Sequence, residues 1–496
     1  MSILVHQIKG DTVELLFDPT VERLEIGENL LLTEAGSGEG LLTQIIEFGT
    51  FAYPSMTEEQ MRHMMELSYS PPGGTMHVYE DMGLLNAENL ELCHAKIRRR
   101  VRQDGQWEPW DGWIPTRNVA VAKVSDSEVH RQCVPQFGNP LRIGTGFAGV
   151  EFAIDGRSYE KVNLITSAKG AGKSHLAKVL LLQLIEKRMP CVVFDINREY
   201  ARLPGVTNLV PGENFRLSVE DFGVAPLVTL LRRFGLPETS AMNFENTLIR
   251  QVARNNNARR ERRTPEFITV EGMISWAESN QFYPGQSEAA RAVNAAIRSR
   301  LSYVENLGVF ARNQGEVASL QSLLEQVSAR SGALVIDLAT LSTFAREGFV
   351  QAIVDAIKRF QPRSDPPKFP FLFFEEAHLY VSKEGINDIV TRSRHLGITS
   401  TFITNMVTDL DEVVLRQVDN LFLLYLPHDA DVRHVSKSAI TDPETVAAFA
   451  QRMKRYHAMM IGEASGGYPI VFKVDELKDI DVAGETRYSF GDNTNQ

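Results

Sequence analysis

Apolar and polar residues alternate in short runs at the start of the chain, which is the period of a half-buried β-strand. Residues 12–17 and 29–33 have strand composition, a similar stretch follows at 118–124, and Gly36, Gly38 and Gly40 cluster where a hairpin turn fits. Residues 1–125 are therefore expected to form a small β-barrel with an inserted excursion near 56–90. Near residue 160 the rhythm changes to strand–helix alternation. The apolar run 162–166 leads into a glycine-rich loop, and Leu176, Leu180 and Leu184 then recur at helical spacing through 175–187. Pro190 ends that helix, and 191–196 reads as the next buried strand. Such alternation predicts an α/β fold, a parallel sheet with helices on its faces.

Residues 215–330 break the rhythm; they are helix-like and rich in Arg, Asn, Glu and Gln. Alternation resumes with strands at 333–338, 369–374, 398–404 and 421–426, separated by helices near 347–360, 386–395 and 410–418. A helix over 442–456 and a hairpin pairing 458–461 with 469–474 follow. The expected organisation is an N-terminal β-barrel (1–125), a core in two parts (126–214 and 331–430) divided by a helical insertion (215–330), and a C-terminal helix and hairpin (431–496).

Composition narrows the possibilities. A length of 496 residues with 43% hydrophobic content supports several domains and a sizeable core. The formal net charge of -11 means that any contact with nucleic acid must come from a local basic surface. Two such clusters exist, Arg98, Arg99, Arg100 and Arg102 in the first, and Arg250, Arg254, Arg259, Arg260, Arg262 and Arg263 in the second. Cys93, Cys133 and Cys191 are far apart and lack CxxC spacing, so neither a disulfide framework nor a zinc site is read, which fits the cytoplasm. The first residues show no signal-peptide pattern, and no apolar run approaches the ~20 residues that cross a bilayer.

The segment Ser167-Ala168-Lys169-Gly170-Ala171-Gly172-Lys173-Ser174 follows an expected strand and opens an expected helix. That is the setting of a phosphate-binding loop. Gly170 and Gly172 let backbone N–H groups turn inward around a phosphate, and the helix start adds unsatisfied donors and partial positive charge. Lys173 is placed to reach β- and γ-phosphates, and the Ser174 hydroxyl to ligate Mg²⁺. His175 completes the expected nucleotide contacts. Ser167 stands where the motif has its first glycine.

Downstream, Phe371-Leu372-Phe373-Phe374-Glu375-Glu376-Ala377-His378 is an apolar strand ending in two acids. A buried strand delivers its C-terminal residues to the crevice where open α/β sheets bind ligands. Glu375 is expected near Mg²⁺, and Glu376 is expected to polarise the attacking water as general base. His378 is read as a cap or core residue. Asp195 or Glu199 is placed to support metal or water, or simply ends a strand; Asp337 ends another. Asn405 is either a γ-phosphate sensor or a strand cap. Arg392 and Arg394 are the candidates for the guanidinium that stabilises transition-state oxygens, with Arg416 and Arg433 behind them.

The order SAKGAGKS, VVFDINREY, ALVIDLATL, FLFFEEAHLY and RSRHLGITSTFITNMVTDLDEVVLRQVDN, after a barrel-like start, resembles the HerA branch of the HerA/FtsK ATPases. Asn405 stands where that family usually has glutamine. The resemblance implies a RecA-like P-loop ATPase core binding ATP and Mg²⁺, a homo-hexameric ring with hydrolysis at subunit interfaces, and translocation of double-stranded DNA. It also implies that the N-terminal barrel docks a partner, a nuclease or, in antiviral systems, a sirtuin-like effector. The alternative is an ATP-gated ring scaffold that activates an effector without sustained translocation.

Overall fold

A computed structural model describes residues 3–50, 91–116, 119–146, 149–360, 362–363, 368–381, 389, 397–410, 412–438 and 440–477. The expected excursion near 56–90, and nearly all of the expected helix near 386–395, lie outside the described residues.

The first sheet comprises β1 (Ile3–Lys9), β2 (Thr12–Phe17), β3 (Asn29–Glu34), β4 (Gly40–Thr50), β5 (Glu91–Val101), β6 (Trp107–Pro109) and β7 (Val119–Val124). Its order is β1-β2-β5-β4-β3-β7, with β6 on β5, and every pairing is antiparallel. Alternation buries Val13, Leu15 and Phe17 of β2 against Leu30, Leu41, Ile45 and Ala95. Gly38 takes the positive φ of the β3–β4 turn. The expected barrel takes the form of a half-barrel: β1 and β7 end the hydrogen-bonded path without pairing to each other. Helix α1 (Asp126–Cys133), capped by Ser125, leads out of it.

The second sheet holds β8 (Pro140–Thr145), β9 (Glu151–Asp155), β10 (Val162–Thr166), β11 (Cys191–Asp195), β12 (Val206–Leu209), β13 (Ala333–Asp337), β14 (Phe371–Glu375), β15 (Thr399–Thr404), β16 (Asn420–Leu423), β17 (His457–Gly462) and β18 (Ile470–Val474). Its order is β12-β13-β11-β14-β15-β10-β16-β17-β18-β8-β9. Strands β12 to β16 in that order are parallel, and the last four join antiparallel. Every residue of β10, β11, β13, β14 and β15 is buried, as two covered faces require. On one face Phe194, Phe374 and Phe402 stack with centroids 4.9 and 5.2 Å apart across three neighbouring strands. The other face packs α3 (Lys173–Glu186) through Leu176, Leu180 and Leu184. The fold is α/β, a largely parallel sheet covered by helices on both faces.

Short α2 (Gly156–Tyr159) precedes β10. The stretch between β12 and β13 is helical: α4 (Val219–Phe222), α5 (Val224–Arg233), α6 (Glu238–Arg260), α7 (Val270–Glu278), α8 (Glu288–Asn306) and α9 (Leu320–Arg330). Phe222, Phe244, Met273 and Leu301 fill its centre, which runs on into the core beneath β11 and β13. Helix α10 (Thr343–Lys358) then covers the sheet. Two expected helices are shorter than read. The one near 410–418 is α11 (Glu412–Leu415), which gives way to a turn at 416–417. After α12 (Asp429–Val435), α13 (Pro443–Ala450) stops at Ala450, and the polar residues that follow carry the chain through turns into β17.

The first sheet is pinned to α13 by buried charge. The Arg98 side chain, 10% exposed, lies 3.6 Å from Asp442 and donates to Thr445 Oγ1 at 2.9 Å and Gln44 Oε1 at 3.2 Å. Lys96 pairs with Asp11 and with Glu444 of α13. Arg98→Ala removes the ion-pair partner of Asp442 and is expected to cost about 3 kcal/mol. Arg102→Ala, losing a half-exposed pair with Glu108, should cost less than about 1 kcal/mol. Chemical unfolding of the two variants measures the contrast.

Candidate active site

The loop at 167–174 is built as its glycines require. Gly170 and Gly172 have φ of 81° and 113°, values that side chains disfavour. Gly172 also lacks room, since an added Cβ would stand 3.0 Å from the Tyr456 ring. Ala168 N–H donates to Tyr425 O at 2.7 Å, tying the loop to the end of β16. Ser167, in place of the first glycine, is fully buried and donates its hydroxyl to Ala168 O at 2.8 Å. Gly172 caps α3 without a side-chain acceptor, so the first-turn amides of Lys173, Ser174 and His175 remain directed at whatever occupies the loop. That is a cradle for an anionic ligand. Lys169 is exposed beside it.

Strand β14 ends two strands from β10, at the same edge of the parallel sheet. Lys173 Nζ lies 3.7 Å from Glu376 Oε1, and both side chains are about nine-tenths buried. Glu376 sits at φ 49°, ψ 49°, a left-handed conformation that costs a non-glycine residue on the order of 1 kcal/mol. This turn aims its carboxylate back at the loop. The Asn405 backbone N–H donates to Glu376 Oε2 at 3.3 Å. His378 Nδ1 lies 3.5 Å from the same oxygen and 2.9 Å from Thr404 Oγ1. His378, read from sequence as a cap or core residue, thus belongs to the surroundings of Glu376.

Glu375 is fully buried. Ser174 Oγ donates to its Oε1 at 2.9 Å, and Tyr200 OH donates to its Oε2 at 2.6 Å. Burial pushes the Glu375 carboxyl up to about 7; the hydrogen bonds from Tyr200 and Ser174 oppose this, and the charges of Glu199 and Glu376 add to it. Glu199 pairs with buried Lys178 of α3 at 3.2 Å. Asp195 accepts the N–H groups of Asn197 and Tyr200, and Asp337 holds Arg198 at 2.8 Å. These two carboxylates therefore order the ends of β11 and β13.

Among the described residues, no cluster of three or more His, Cys, Asp or Glu is arranged to hold a metal. The convergent hard oxygens are those of Ser174 and Glu375. This sparse donor set suits Mg²⁺, which keeps water and binds phosphate oxygens alongside one or two protein ligands.

Some candidates lie elsewhere. Arg392 and Arg394 fall outside the described residues. Arg416 is an exposed residue 3.8 Å from Glu412. The first basic cluster does not present a basic surface. Arg98 is buried, Arg99 binds Gly466 O, Arg100 binds Glu39 and Asp111, and Arg102 binds Glu108. In the second, Arg259 pairs with Glu220 and Arg263 with Glu261, while Arg250, Arg254, Arg260 and Arg262 are exposed. Sequence reading missed Lys178, Thr404 and the role of Tyr200. The one available signal was Tyr200 directly after Glu199 at the end of a buried strand.

Residues 141–357 match the family model described as helicase HerA, central domain. The chain is 24% identical over 404 residues to the DNA double-strand break repair helicase HerA of Saccharolobus solfataricus, covering 75% of this chain and 77% of that protein. It is 24% identical over 414 residues to the protein of the same description from Sulfolobus acidocaldarius, covering 77% and 78%. Among solved structures it resembles VirB4 of Thermoanaerobacter pseudethanolicus, with TM-score 0.51, 16% identity, and 69% of this chain and 98% of that one covered. The plasmid coupling protein TrwB bound to a non-hydrolysable GTP analogue gives TM-score 0.52, 15% identity, and coverage of 73% and 95%.

Glu375 gives the site a pH signature. Between about 4.5 and about 7 the native metal-free protein holds a proton that the unfolded chain releases, so stability falls as pH rises through that window, by about 1.4 kcal/mol per unit. Denaturant titrations in chelator at pH 5 and pH 7 should show this decline. Glu375→Gln should flatten it.

Proposed function

The chain belongs to the HerA family of P-loop ATPases, and on that premise we propose that it is a ring motor coupling ATP hydrolysis to movement of double-stranded DNA. The observation that carries this reading is the convergence of Lys173 on Glu376 and of Ser174 on Glu375 at one edge of the parallel sheet. The Lys173–Glu376 pair neutralises both groups while no phosphate is bound. A triphosphate in the loop draws Lys173 to its β- and γ-oxygens and leaves Glu376 to take a proton from the attacking water. The Asn405 amide and His378 keep the Glu376 carboxylate aimed. Ser174 and Glu375 would hold Mg²⁺, which when bound with the nucleotide neutralises charge on the phosphate oxygens. On this reading the Asn405 side chain senses the γ-phosphate.

Several finer elements of the reading follow family resemblance. The ring is a homo-hexamer in the cytoplasm, and Arg392 or Arg394 reaches a neighbouring subunit's nucleotide. The half-barrel docks a nuclease or a sirtuin-like effector, with a role in antiviral defence. The domain limits 1–125, 126–214, 215–330, 331–430 and 431–496 divide these tasks. Among the described residues no helix is long and apolar enough to cross a membrane.

A second reading, an ATP-gated scaffold that activates an effector with little translocation, is favoured by one observation. Arg98, Arg99, Arg100 and Arg102 are engaged in internal contacts, which removes one of the two basic surfaces available for DNA.

Lys173→Ala should abolish nucleotide binding or hydrolysis, read by titration calorimetry and phosphate release; normal turnover would refute the loop assignment. Glu376→Gln should bind ATP with near wild-type affinity while hydrolysis falls at least about 100-fold. If Glu375→Gln alone stops turnover, the two acids have been assigned in the wrong order. Duplex DNA should stimulate the ATPase, with the effect declining as salt rises. Stimulation by a partner protein and not by DNA would favour the scaffold.

A further inference from the structure

The turn entering β17 presents an aromatic corner to the loop that the proposed function does not use. Strand β17 runs antiparallel to β16, which is parallel to β10, so β17 begins at the edge where β10 ends. Tyr456 stands at that start, in the left-handed region at φ 59°, uncommon for a bulky residue. Two backbone bonds hold it there: its N–H donates to Ala171 O at 3.2 Å, and its carbonyl accepts from Val474 N–H at 2.8 Å. The ring edge abuts Gly172. The His175 ring meets it edge-on with centroids 5.1 Å apart. His175 Nε2 lies 2.8 Å from the Asp475 carbonyl, so Nε2 carries the proton and the imidazole is fixed in orientation. The Arg455 guanidinium carbon is 4.9 Å from the Tyr456 ring centroid. Tyr456 and His175 are both half-buried.

The sheet order decides which end of a nucleotide meets this corner. In β14-β15-β10-β16-β17 the acids lie on one side of the loop and Tyr456 on the other. A phosphate chain lying in the loop with its γ end toward Glu376 leaves its ribose and base toward β16 and β17. We propose that Tyr456 and His175 form the wall against which the nucleobase packs, with Arg455 at its rim. This rests on the phosphate-loop reading above. Stacking of a base on an aromatic side chain tolerates any base, so the wall adds affinity for nucleoside triphosphates over bare phosphate chains.

The test uses the full chain and compares the dissociation constants of Mg·ATP and Mg·tripolyphosphate by calorimetry. Tyr456→Leu keeps bulk against Gly172 and removes the ring. It should weaken ATP binding about tenfold while leaving tripolyphosphate binding unchanged. Tyr456→Phe should match wild type, and His175→Ala should weaken ATP selectively in the same sense. Equal weakening of both ligands by Tyr456→Leu would mean that the ring only props the loop and would overturn the proposal, as would no change in either. Failure of the loop assignment itself would look different: Lys173→Ala would then leave tripolyphosphate binding intact.

Discussion

A buried ammonium and a buried carboxylate, Lys173 and Glu376, face each other across the edge of the parallel sheet, and the rest of the site is arranged to make that tolerable. Removing either charge from water costs several kcal/mol unless it is paired and hydrogen-bonded. The pairing requires β10 and β14 to end at the same level, which the parallel register through β15 enforces. It also requires Glu376 to turn back at positive φ and to accept the amide of Asn405. A phosphate offers Lys173 a better partner than a single carboxylate does. On the proposed reading, the groups that pair here are the same ones that meet the nucleotide.

The neighbouring acid follows a different rule. Among the described residues Glu375 makes no ion pair; its hydrogen bonds come from two hydroxyls, of Ser174 and Tyr200. Burial without a counter-charge lets the carboxyl keep its proton far above the ordinary range. Adjacent acids at the end of one strand are thus set apart electrostatically, one matched to a lysine and the other held by hydroxyls alone.

What the sequence disclosed follows the range of the interactions. The strands β10, β11, β13, β14 and β15 were legible because burial on both faces writes a continuous apolar run, and the loop was legible because its glycines and lysine are contiguous. The Tyr200–Glu375 bond joins positions 175 apart, and nothing local to Tyr200 announces it. The arginines of β5 looked like a basic surface because their partners, Asp442 and Glu39 among them, arrive from distant strands and helices. Whether the first sheet closes is likewise a matter of how its two end strands meet. The end of α13 was misplaced because helical spacing persists into residues that the turn before β17 needs. Tyr456 was invisible as a neighbour of Gly172 for the same reason.

The buried charges between the first sheet and α13 have a mechanical consequence. Arg98 and Lys96 grip α13, and a short turn after α13 leads to Tyr456, which touches the phosphate loop. A path of contacts therefore runs from the half-barrel to the loop without passing through the helical region. The N-terminal sheet and the loop at 167–174 are in this sense joined through one short stretch of chain.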